Sequence, residues 1–238
     1  MYPIETRLSA MLGAVIAAVA ILVAGGGTAV AEPHTGEMFL TFIRHGESAG
    51  NASGLIDTST PGPELTDKGW AQADAVAAYL ADCTFDGIYA SKMIRTQQTA
   101  KPTSDRCHLP VTVEPGLHEI EAGIYEGRPE HEAGLNYFQA PLQWIQGNLD
   151  ARIPGSINGH EFKQRMDDSI RDIRNRGSKR ATIFSHGGAI MIWTAMSVTD
   201  PDLSTLQNDP LQNTGRVVVK GTPDKGWKLV SWDGTPTA

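Results

Sequence analysis

Two histidines, His45 and His186, stand in the same setting, each one residue beyond the end of an apolar run and directly before a glycine. Arg44 precedes the first of them. An imidazole can act as a nucleophile or a proton acceptor near neutral pH, and a guanidinium offers fixed, paired donors to the oxygens of an anion. A single histidine in such a place is most often structural, but two with a neighbouring arginine predict a shared polar site. The chemistry that suits these residue types is phosphoryl transfer.

The two apolar runs, Met38 to Ile43 and Ala181 to Phe184, are typical of strands buried on both faces of a parallel sheet. Strands and helices alternate along much of the chain, which predicts an α/β domain with a mainly parallel sheet. The carboxyl ends of parallel strands lie at one edge of the sheet, where such folds bind their ligands. We therefore expect His45 and His186 to be neighbours at that edge.

Other segments carry weaker signals. Thr66 is the predicted N-cap of a helix, and a helix that starts at Ile94 is expected to stop near Pro102. Further strands are predicted at 85–91 and 111–113, helices at 162–173 and 189–196, and a closing hairpin at 217–219 and 228–230. Residues 47–64 are predicted to form a loop, and residues 123–160 an inserted lid with a short helix at 142–145.

Five different short sequence motifs follow one another along the chain. They are Arg44-His45-Gly46-Glu47-Ser48 with Asn51; Leu65-Thr66 with Gly69, Gln72 and Ala73; Ser91-Lys92-Met93-Ile94-Arg95-Thr96 with Thr99-Ala100; Leu117-His118-Glu119-Ile120 with Gly123 and Tyr125-Glu126-Gly127; and Ser185-His186-Gly187-Gly188. Together they resemble the motifs of the histidine phosphatase superfamily, the phosphoglycerate mutase-like proteins. The resemblance implies a three-layer α/β/α sandwich with a mainly parallel central sheet and a lid insertion.

The resemblance also implies that His45 is the nucleophile, which takes the phosphoryl group as a phosphohistidine. Only a neutral imidazole can attack, and nearby Arg44 and Arg95 disfavour the imidazolium electrostatically. The same arginines, with His186, would stabilise the oxygens of the transferring group, and Asn51 could add a neutral donor. The phosphate site is thus expected to consist of these four residues, without a metal or another cofactor.

Glu119 matches the family's proton donor to the leaving alkoxide. Only a protonated carboxyl can serve, so an acidic optimum is expected, and the same carboxylate would then activate the water that hydrolyses the phosphohistidine. Five other titratable residues lack such support and are interpreted as surface or supporting residues: His118, Glu121, Glu126, His131 and His160. The lid histidines His131 and His160 could nevertheless contact substrate, because loops carry the contacts that vary.

Three other classes of protein have to be weighed. Gly46-Glu47-Ser48-Ala49-Gly50 is also a G-x-S-x-G string, as in serine esterases, with Ser48 as nucleophile and His186 as base. That reading leaves Arg44 and Arg95 without a role. A metalloenzyme is disfavoured because the seven histidines show neither H-x-H nor H-E-x-x-H spacing. A non-catalytic binding module would be favoured by a replaced charged residue in the motifs, and none is replaced.

Within the family, phosphatases and mutases differ in how they exclude water. The longer glycolytic mutases carry a tryptophan where this chain has Gly50, and a Glu-Arg-Tyr-Gly type acid segment where this chain has His118-Glu119-Ile120. The first expectation is therefore a phosphoric monoester hydrolase of the histidine acid phosphatase type, acting on a small-molecule or protein phosphomonoester. The alternative is a phosphotransferase of the phosphoglycerate mutase type.

The first 31 residues differ from the rest in composition. Met11 to Ala24 is an uncharged apolar run, and Ala29-Val30-Ala31 is an A-x-A cleavage site, which together predict a secretory signal peptide. We expect cleavage before Glu32, a secreted or extracytoplasmic protein, and one domain over 32–238. The alternative is an uncleaved membrane anchor from residues 11–31, close to the roughly 20 residues that a span requires.

The chain has 20 basic and 27 acidic side chains, a net charge of -7, and no basic cluster that would bind nucleic acid. Cys83 and Cys107 are the predicted disulfide in an oxidising compartment. No stable membrane insertion is expected once the signal is cleaved. An oligomer is compatible with the sequence, since Trp144 and Trp232 could form a contact surface or pack against the body of the domain.

Overall fold

The computed structural model describes residues 36–199, 201, 210–233 and 235–236. The predicted signal peptide, residues 1–31, and the alternative anchor, residues 11–31, lie outside the described residues, so both stay predictions. Within the described ranges, no helix combines the length and the apolar character needed to cross a membrane.

A mixed sheet with helices on both faces forms the described part of the chain. Its strands are β1 Met38–Arg44, β2 Gly87–Ala90, β3 Val111–Val113, β4 Arg180–Ser185, β5 Arg216–Thr222, β6 Gly226–Trp232 and β7 Thr235–Pro236. The helices are α1 Ala49–Ser53, α2 Asp67–Tyr79, α3 Ile94–Cys107, α4 Glu130–Ile145, α5 Gly159–Asn175 and α6 Gly187–Ser197, with short 3-10 turns at Pro115–Leu117 and Gly123–Tyr125. The α/β class expected from the sequence is confirmed.

The described strands follow the spatial order β3-β2-β4-β1-β5-β6-β7. The first four are parallel to one another, and β5, β6 and β7 extend the sheet in antiparallel fashion from β1. The predicted closing hairpin is β5 and β6. The parallel part of the sheet contains both strands that precede the histidines.

Both faces of the parallel strands are covered, which explains their unbroken apolar runs. On β1, Leu40 and Phe42 belong to one core cluster, formed with residues of α4, α5 and α6. Ile43 points to the other face and belongs to a second cluster with Val76 of α2 and Ala100 of α3. Alternating side chains of a strand point to opposite faces, so the sheet lies between two helical layers.

Pro102 does not end α3, contrary to the sequence prediction. The helix continues through the proline to Cys107, with Ala100 and Thr103 buried on either side of it. Proline inside a helix removes one hydrogen bond, and the packing of its neighbours against the sheet outweighs that loss. The Sγ atoms of Cys107 and Cys83 lie 1.97 Å apart as a disulfide, which ties the end of α3 to the loop after α2.

The lid also differs from the prediction. Its helix α4 begins at Glu130, twelve residues before the predicted start at 142, and ends at Ile145. The sequence hid this length because Gly134 and Pro141 interrupt the apolar pattern. Trp144 and Trp232 are 1% and 3% exposed, so neither forms a contact surface. Residues 47–64, predicted as a loop, contain the short helix α1.

Candidate active site

His45 and His186 lie side by side at the carboxyl edge of the parallel strands. In the pairing of β1 with β4, Arg44 is opposite Ser185, and these are the last residues of the two strands. The two histidines directly follow them. Their ring centroids are 5.1 Å apart, and both side chains are buried. The register of two parallel strands therefore places the two imidazoles together.

The hydrogen bonds of His45 fix its tautomer. Nδ1 lies 2.7 Å from the carbonyl oxygen of Gly46, which can only accept, so Nδ1 carries the proton. Nε2 accepts a hydrogen bond of 3.1 Å from Nε of Arg95, which can only donate. His45 is therefore a neutral imidazole whose nucleophilic lone pair is on Nε2.

The surroundings of His45 keep it neutral. Burial, then the positive charges of Arg95 and Arg44, lower its pKa well below the usual value. Burial also lowers the pKa of both arginines, and the negative charge of Glu119 partly offsets this. Guanidinium groups stay charged in proteins, so the site combines a neutral nucleophile with two cations.

Several buried nitrogen atoms beside His45 have no hydrogen-bond partner among the described residues. Arg44 donates from Nη1 to the Leu211 carbonyl at 2.6 Å, and Arg95 from Nη2 to the Asp57 carbonyl at 3.1 Å. Nε of Arg44, Nη1 of Arg95 and Nδ1 of His186 make no hydrogen bond with any described residue. Unpaired buried polar groups are costly, and the oxygens of an anion would satisfy the two guanidinium nitrogens.

Ser91 orients His186. The hydroxyl of Thr96 donates to the Met93 carbonyl at 2.8 Å, so its oxygen is free to accept from Ser91 at 2.9 Å. The Ser91 hydroxyl is then an acceptor for Nε2 of His186 at 2.8 Å. Burial, Arg95 and His45 lower the pKa of His186 well below the usual value. The proton of the neutral ring is thus on Nε2, and Nδ1 is left for a ligand.

Glu119 lies beside the amino end of α6, the helix that begins directly after His186. Its Oε1 accepts from the backbone N–H groups of Ile120 and Ala189, both at 2.8 Å, and Oε2 accepts from that of Gly188 at 3.1 Å. Helix amino ends hold carboxylates in this way through exposed N–H groups and the helix dipole. Oε2 accepts the fewer hydrogen bonds, so it is the oxygen with room for a proton.

Arg165 on α5 fixes the segment that carries Glu119, a role the sequence did not reveal. Its guanidinium donates to the carbonyl oxygens of Gly116, His118 and Glu119 at 2.5, 2.8 and 3.0 Å. Burial raises the pKa of Glu121, but the hydrogen bond from His118 and the charge of Arg165 outweigh it and lower the pKa to about 2. His118 and Glu121 therefore support the loop.

Asn51 and Asn213 connect the nucleophile loop to the segment before β5. The Oδ1 atom of Asn51 accepts from the backbone and hydroxyl of Ser48 and from Nδ2 of Asn213 at 3.2 Å. Asn213 also donates to the His45 carbonyl at 3.0 Å. With Oδ1 saturated, the amide nitrogen of Asn51 is oriented as a donor in a cavity that its side chain helps to line.

The lid histidines differ in position. His131 lies at the wall of the cavity, and His160 is outside it, 3.4 Å from Asp150. Ser48 is 2% exposed, and its hydroxyl bonds Asn51, whereas Nε2 of His186 bonds Ser91. No described contact joins Ser48 to His186, so the arrangement lacks the nucleophile and base pair of a serine esterase.

One cavity of about 650 Å³ lies at this site, and His186 is buried behind its lining residues. Arg44, His45, Asn51, Arg95 and Glu119 all line it. Among the described residues, no group of three His, Cys, Asp or Glu side chains is arranged to hold a metal ion. The arrangement offers a neutral nucleophile, two cations and a carboxyl group around one space, which is what transfer of a phosphoryl group requires.

Comparison with known proteins identifies the class. The family model of the histidine phosphatase superfamily, branch 1, matches residues 40–235, and the chain belongs to this family. It is 40% identical over 213 residues to the PE-PGRS family protein PE_PGRS11 of Mycobacterium tuberculosis. That match covers 83% of this chain and 36% of the relative, so the chain spans about a third of the length of that protein.

Two further relatives carry enzyme names. A probable phosphoglycerate mutase GpmB of Yersinia pestis is 32% identical over 149 residues, which cover 62% of this chain and 69% of that protein. The structure of a mycobacterial glucosyl-3-phosphoglycerate phosphatase complexed with VO3 superposes with a TM-score of 0.68 at 21% identity, covering 83% of this chain and 100% of that one. The second likeness bears on the fold alone. A mutase name and a phosphatase name thus both occur among the proteins that this chain resembles.

Proposed function

We propose that this chain is a phosphomonoesterase that works through a phosphohistidine on His45, with Glu119 as proton donor. The observation that carries the proposal is the hydrogen-bond pair on the His45 ring, Nδ1 to Gly46 and Nε2 to Arg95. It provides a neutral nucleophile beside a cation. A substrate oxygen that takes over the Arg95 donor would release the Nε2 lone pair to attack phosphorus.

In the first step, Nε2 of His45 forms a bond to phosphorus while the bond from phosphorus to the alcohol oxygen breaks. Arg44 and Arg95 donate to oxygens of the phosphoryl group through nitrogen atoms that have no partner among the described residues, and Nδ1 of His186, which carries no proton, accepts from the oxygen that is protonated in a singly charged ester. The alcohol oxygen takes a proton from the Oε2 atom of Glu119. The products of this step are the alcohol and a phosphohistidine.

In the second step, a water oxygen attacks the phosphohistidine and gives a proton to the Glu119 carboxylate. The bond between phosphorus and nitrogen breaks, and its electron pair returns to Nε2. Phosphate leaves, Glu119 is protonated again, and the cycle closes. Because Glu119 starts as an acid, we expect hydrolysis to be fastest in mildly acidic solution.

Hydrolysis of an aryl phosphate by residues 32–238 at about pH 5.5, with a chelator present, tests the proposal. His45→Ala should lower kcat by at least about a thousandfold, since no other nucleophile replaces it. Ser48→Ala is the control and should remain active. Wild-type enzyme quenched in base during turnover should carry one phosphate on His45. Activity that survives in His45→Ala would refute the proposal.

A mutase-type phosphotransferase is the second candidate, and the identity to the probable phosphoglycerate mutase favours it. It would return the phosphoryl group to a second hydroxyl of a bound phosphoglycerate, whose carboxylate needs a cation of its own. Conversion of 3-phosphoglycerate without release of phosphate would favour this candidate over the hydrolase.

We also propose that the protein is exported, on the basis of the apolar run and the A-x-A site in residues 1–31. The pairing of Cys83 with Cys107 supports this, because structural disulfides persist in oxidising compartments. Expression of the full chain in a bacterium, with mass determination in each fraction, provides the test. A chain starting at Glu32 outside the cytoplasm is expected. An intact chain in the membrane fraction would favour the anchor, and an intact chain in the cytoplasm would contradict both.

A further inference from the structure

The lid helix α4 has two apolar stripes, one buried in the core and one that reaches the core only through Phe138 and Ile145. Ala133, Tyr137, Ala140 and Trp144 lie on the buried stripe. The second stripe follows the same helical spacing and lines the cavity: Gly134, Leu135, Phe138, Leu142 and Ile145. Leu135 is 86% exposed and Leu142 is 43% exposed. Leu135 and Leu142 add little to the core, so a ligand in the cavity is the natural partner for these two side chains.

Much of the remaining lining of the cavity is also apolar. Leu55, Ile56, Met191, Ile192 and Leu211 line the same cavity as the second stripe of α4. This cavity of about 650 Å³ also holds the proposed phosphate site. Ligand sites of this size typically bury most of a small molecule between apolar walls, with a few polar groups to orient it.

The second apolar stripe of α4 comes close to Glu119, the proposed proton donor. A Cβ atom placed on Gly188 would lie 2.9 Å from Oε1 of Glu119 and 3.3 Å from Cζ of Phe138. The Phe138 ring and the Glu119 carboxyl group thus both lie next to Gly188. An alcohol that leaves beside Glu119 would therefore have Phe138 near it, and Leu142 lines the same cavity.

Charge in the cavity restricts the alcohol further. Arg44 and Arg95 are the lysine or arginine residues among the described residues that line it. Residues 202–209 contain no lysine or arginine in their sequence. Asp57 and Glu130 also line the cavity, so a carboxylate on the alcohol would meet acidic side chains without a cation to pair with.

We infer that the substrate is a phosphate monoester of a large apolar alcohol, with the phosphate on the two arginines and the hydrocarbon along the second stripe of α4. This inference rests on the proposed hydrolase activity and names its substrate class. Transfer of a methylene group from water to an apolar site contributes about 0.8 kcal/mol, which corresponds to about a fourfold gain in kcat/KM. The gain is expected mainly in KM, because the chain is bound equally before and during the reaction.

A series of linear alkyl phosphates, from ethyl to decyl, tests the inference below their micelle concentrations. We expect kcat/KM to rise about twofold to fourfold with each methylene until the cavity is filled. Glycerol phosphate and 3-phosphoglycerate, with polar or charged alcohols, should be no better than ethyl phosphate. Equal rates for ethyl and decyl phosphate, or a preference for 3-phosphoglycerate, would overturn the inference.

Two exposed positions give variants that keep the fold. Leu142→Ser should lower the ratio of kcat/KM for octyl phosphate over ethyl phosphate by about tenfold, since a fully buried leucine contributes a factor of that order. Ile124→Ser is the matched control, because Ile124 is 58% exposed and lies outside the cavity. An unchanged ratio in Leu142→Ser would contradict the assigned wall.

Binding of alkyl phosphonates separates this inference from the proposed activity. Phosphonates are not hydrolysed at the bond in question, and their affinity, measured by calorimetry, should rise with chain length. Length-dependent binding without release of phosphate from any ester would refute the hydrolase and keep the ligand class. Release of phosphate at one rate for all chain lengths, with length-independent binding, would keep the hydrolase and refute the ligand class.

Discussion

The Nε atom of Arg95 donates a hydrogen bond of 3.1 Å to Nε2 of His45. The donor comes from the first turn of α3 and the acceptor from the residue after β1, so the contact joins two separate elements of the fold. Because Arg95 cannot accept a hydrogen bond, the contact is compatible only with an unprotonated Nε2. It couples the charge that would bind phosphate to the protonation state of the nucleophile.

The coupling predicts how an Arg95 variant responds to pH. The Arg95 charge lowers the pKa of His45, so Arg95→Gln should raise it. Protonated His45 is inactive, so the acidic limb of kcat/KM should move to higher pH, with a loss of at least about tenfold in the maximum. Arg106→Gln, at the exposed end of α3, is the control. A pH profile of unchanged position would mean that Arg95 does not set the protonation of His45.

Ser91 should affect catalysis through His186. Ser91→Ala removes the hydroxyl partner of Nε2 and leaves a buried imidazole nitrogen unpaired, at a cost in stability of about 1–3 kcal/mol. We expect kcat for an aryl phosphate to fall about tenfold, because the ring loses its orientation. Ser91→Thr, which keeps a hydroxyl, should restore part of kcat. Equal activity of Ser91→Ala and the wild type would show that His186 is held by its packing alone.

Gly188 lies beside Glu119, and this position has no room for a side chain. A Cβ atom would come within 2.9 Å of Oε1 of Glu119, closer than side-chain atoms normally approach. Gly188→Ala should displace the carboxyl group and lower kcat by at least about tenfold, since misplacement by about 1 Å can cost 100-fold. Gly134→Ala, inside α4 with its nearest neighbour at 3.7 Å, is the control and should raise the melting temperature.

The disulfide should stabilise the protein without taking part in catalysis. Cys107 lies at the end of α3 opposite to Arg95, and the bond to Cys83 closes a loop with a sequence separation of 24. Replacing both cysteines with serine should lower the free energy of unfolding by about 2–4 kcal/mol, measured by urea denaturation. Aryl phosphatase activity at 25 °C should be unchanged. A loss of activity in folded protein would mean that the disulfide positions α3.

Glu121 makes the stability of the folded protein depend on pH in acidic solution. Its pKa is lowered to about 2 in the folded protein, below the ordinary value of 4.5. The unfolded chain therefore binds this proton first as pH falls, so the contribution of Glu121 is present above about pH 4.5 and is lost between about pH 4.5 and 2. Glu121→Gln should flatten the stability curve in this window. The melting temperature of both proteins from pH 2 to 7 provides the measurement.

The sequence predicted the site to the extent that chemistry and strand ends determine it. His45 and His186 follow strands whose apolar sequences are typical of a parallel sheet, so the sequence predicts that the two residues are neighbours. The predicted bounds of two helices were wrong. Helix α3 continues through Pro102, and helix α4 already starts at Glu130. In both cases packing against the sheet or the core overrode the local signal, because burial of neighbouring side chains outweighs the cost of one proline or glycine.

Supporting residues were beyond the reach of sequence reasoning. Arg165 bonds carbonyl oxygens that are nearly fifty positions away in the chain, and Asn213 donates to His45 from 168 positions away. An arginine on an amphipathic helix and an asparagine in a loop look like ordinary surface residues. Only the fold decides that these side chains are turned inward.

What the sequence determined by itself is the set of reactive groups and the order of the elements that hold them. The motifs at His45, Arg95, Glu119 and His186 predict phosphoryl chemistry because their residue types have few other combined uses. The tertiary structure decided the tautomer of His45, the hydrogen bonds of Glu119 and the apolar wall along α4. These depend on distances between segments far apart in the chain, which are set by packing and not by any local pattern of residues.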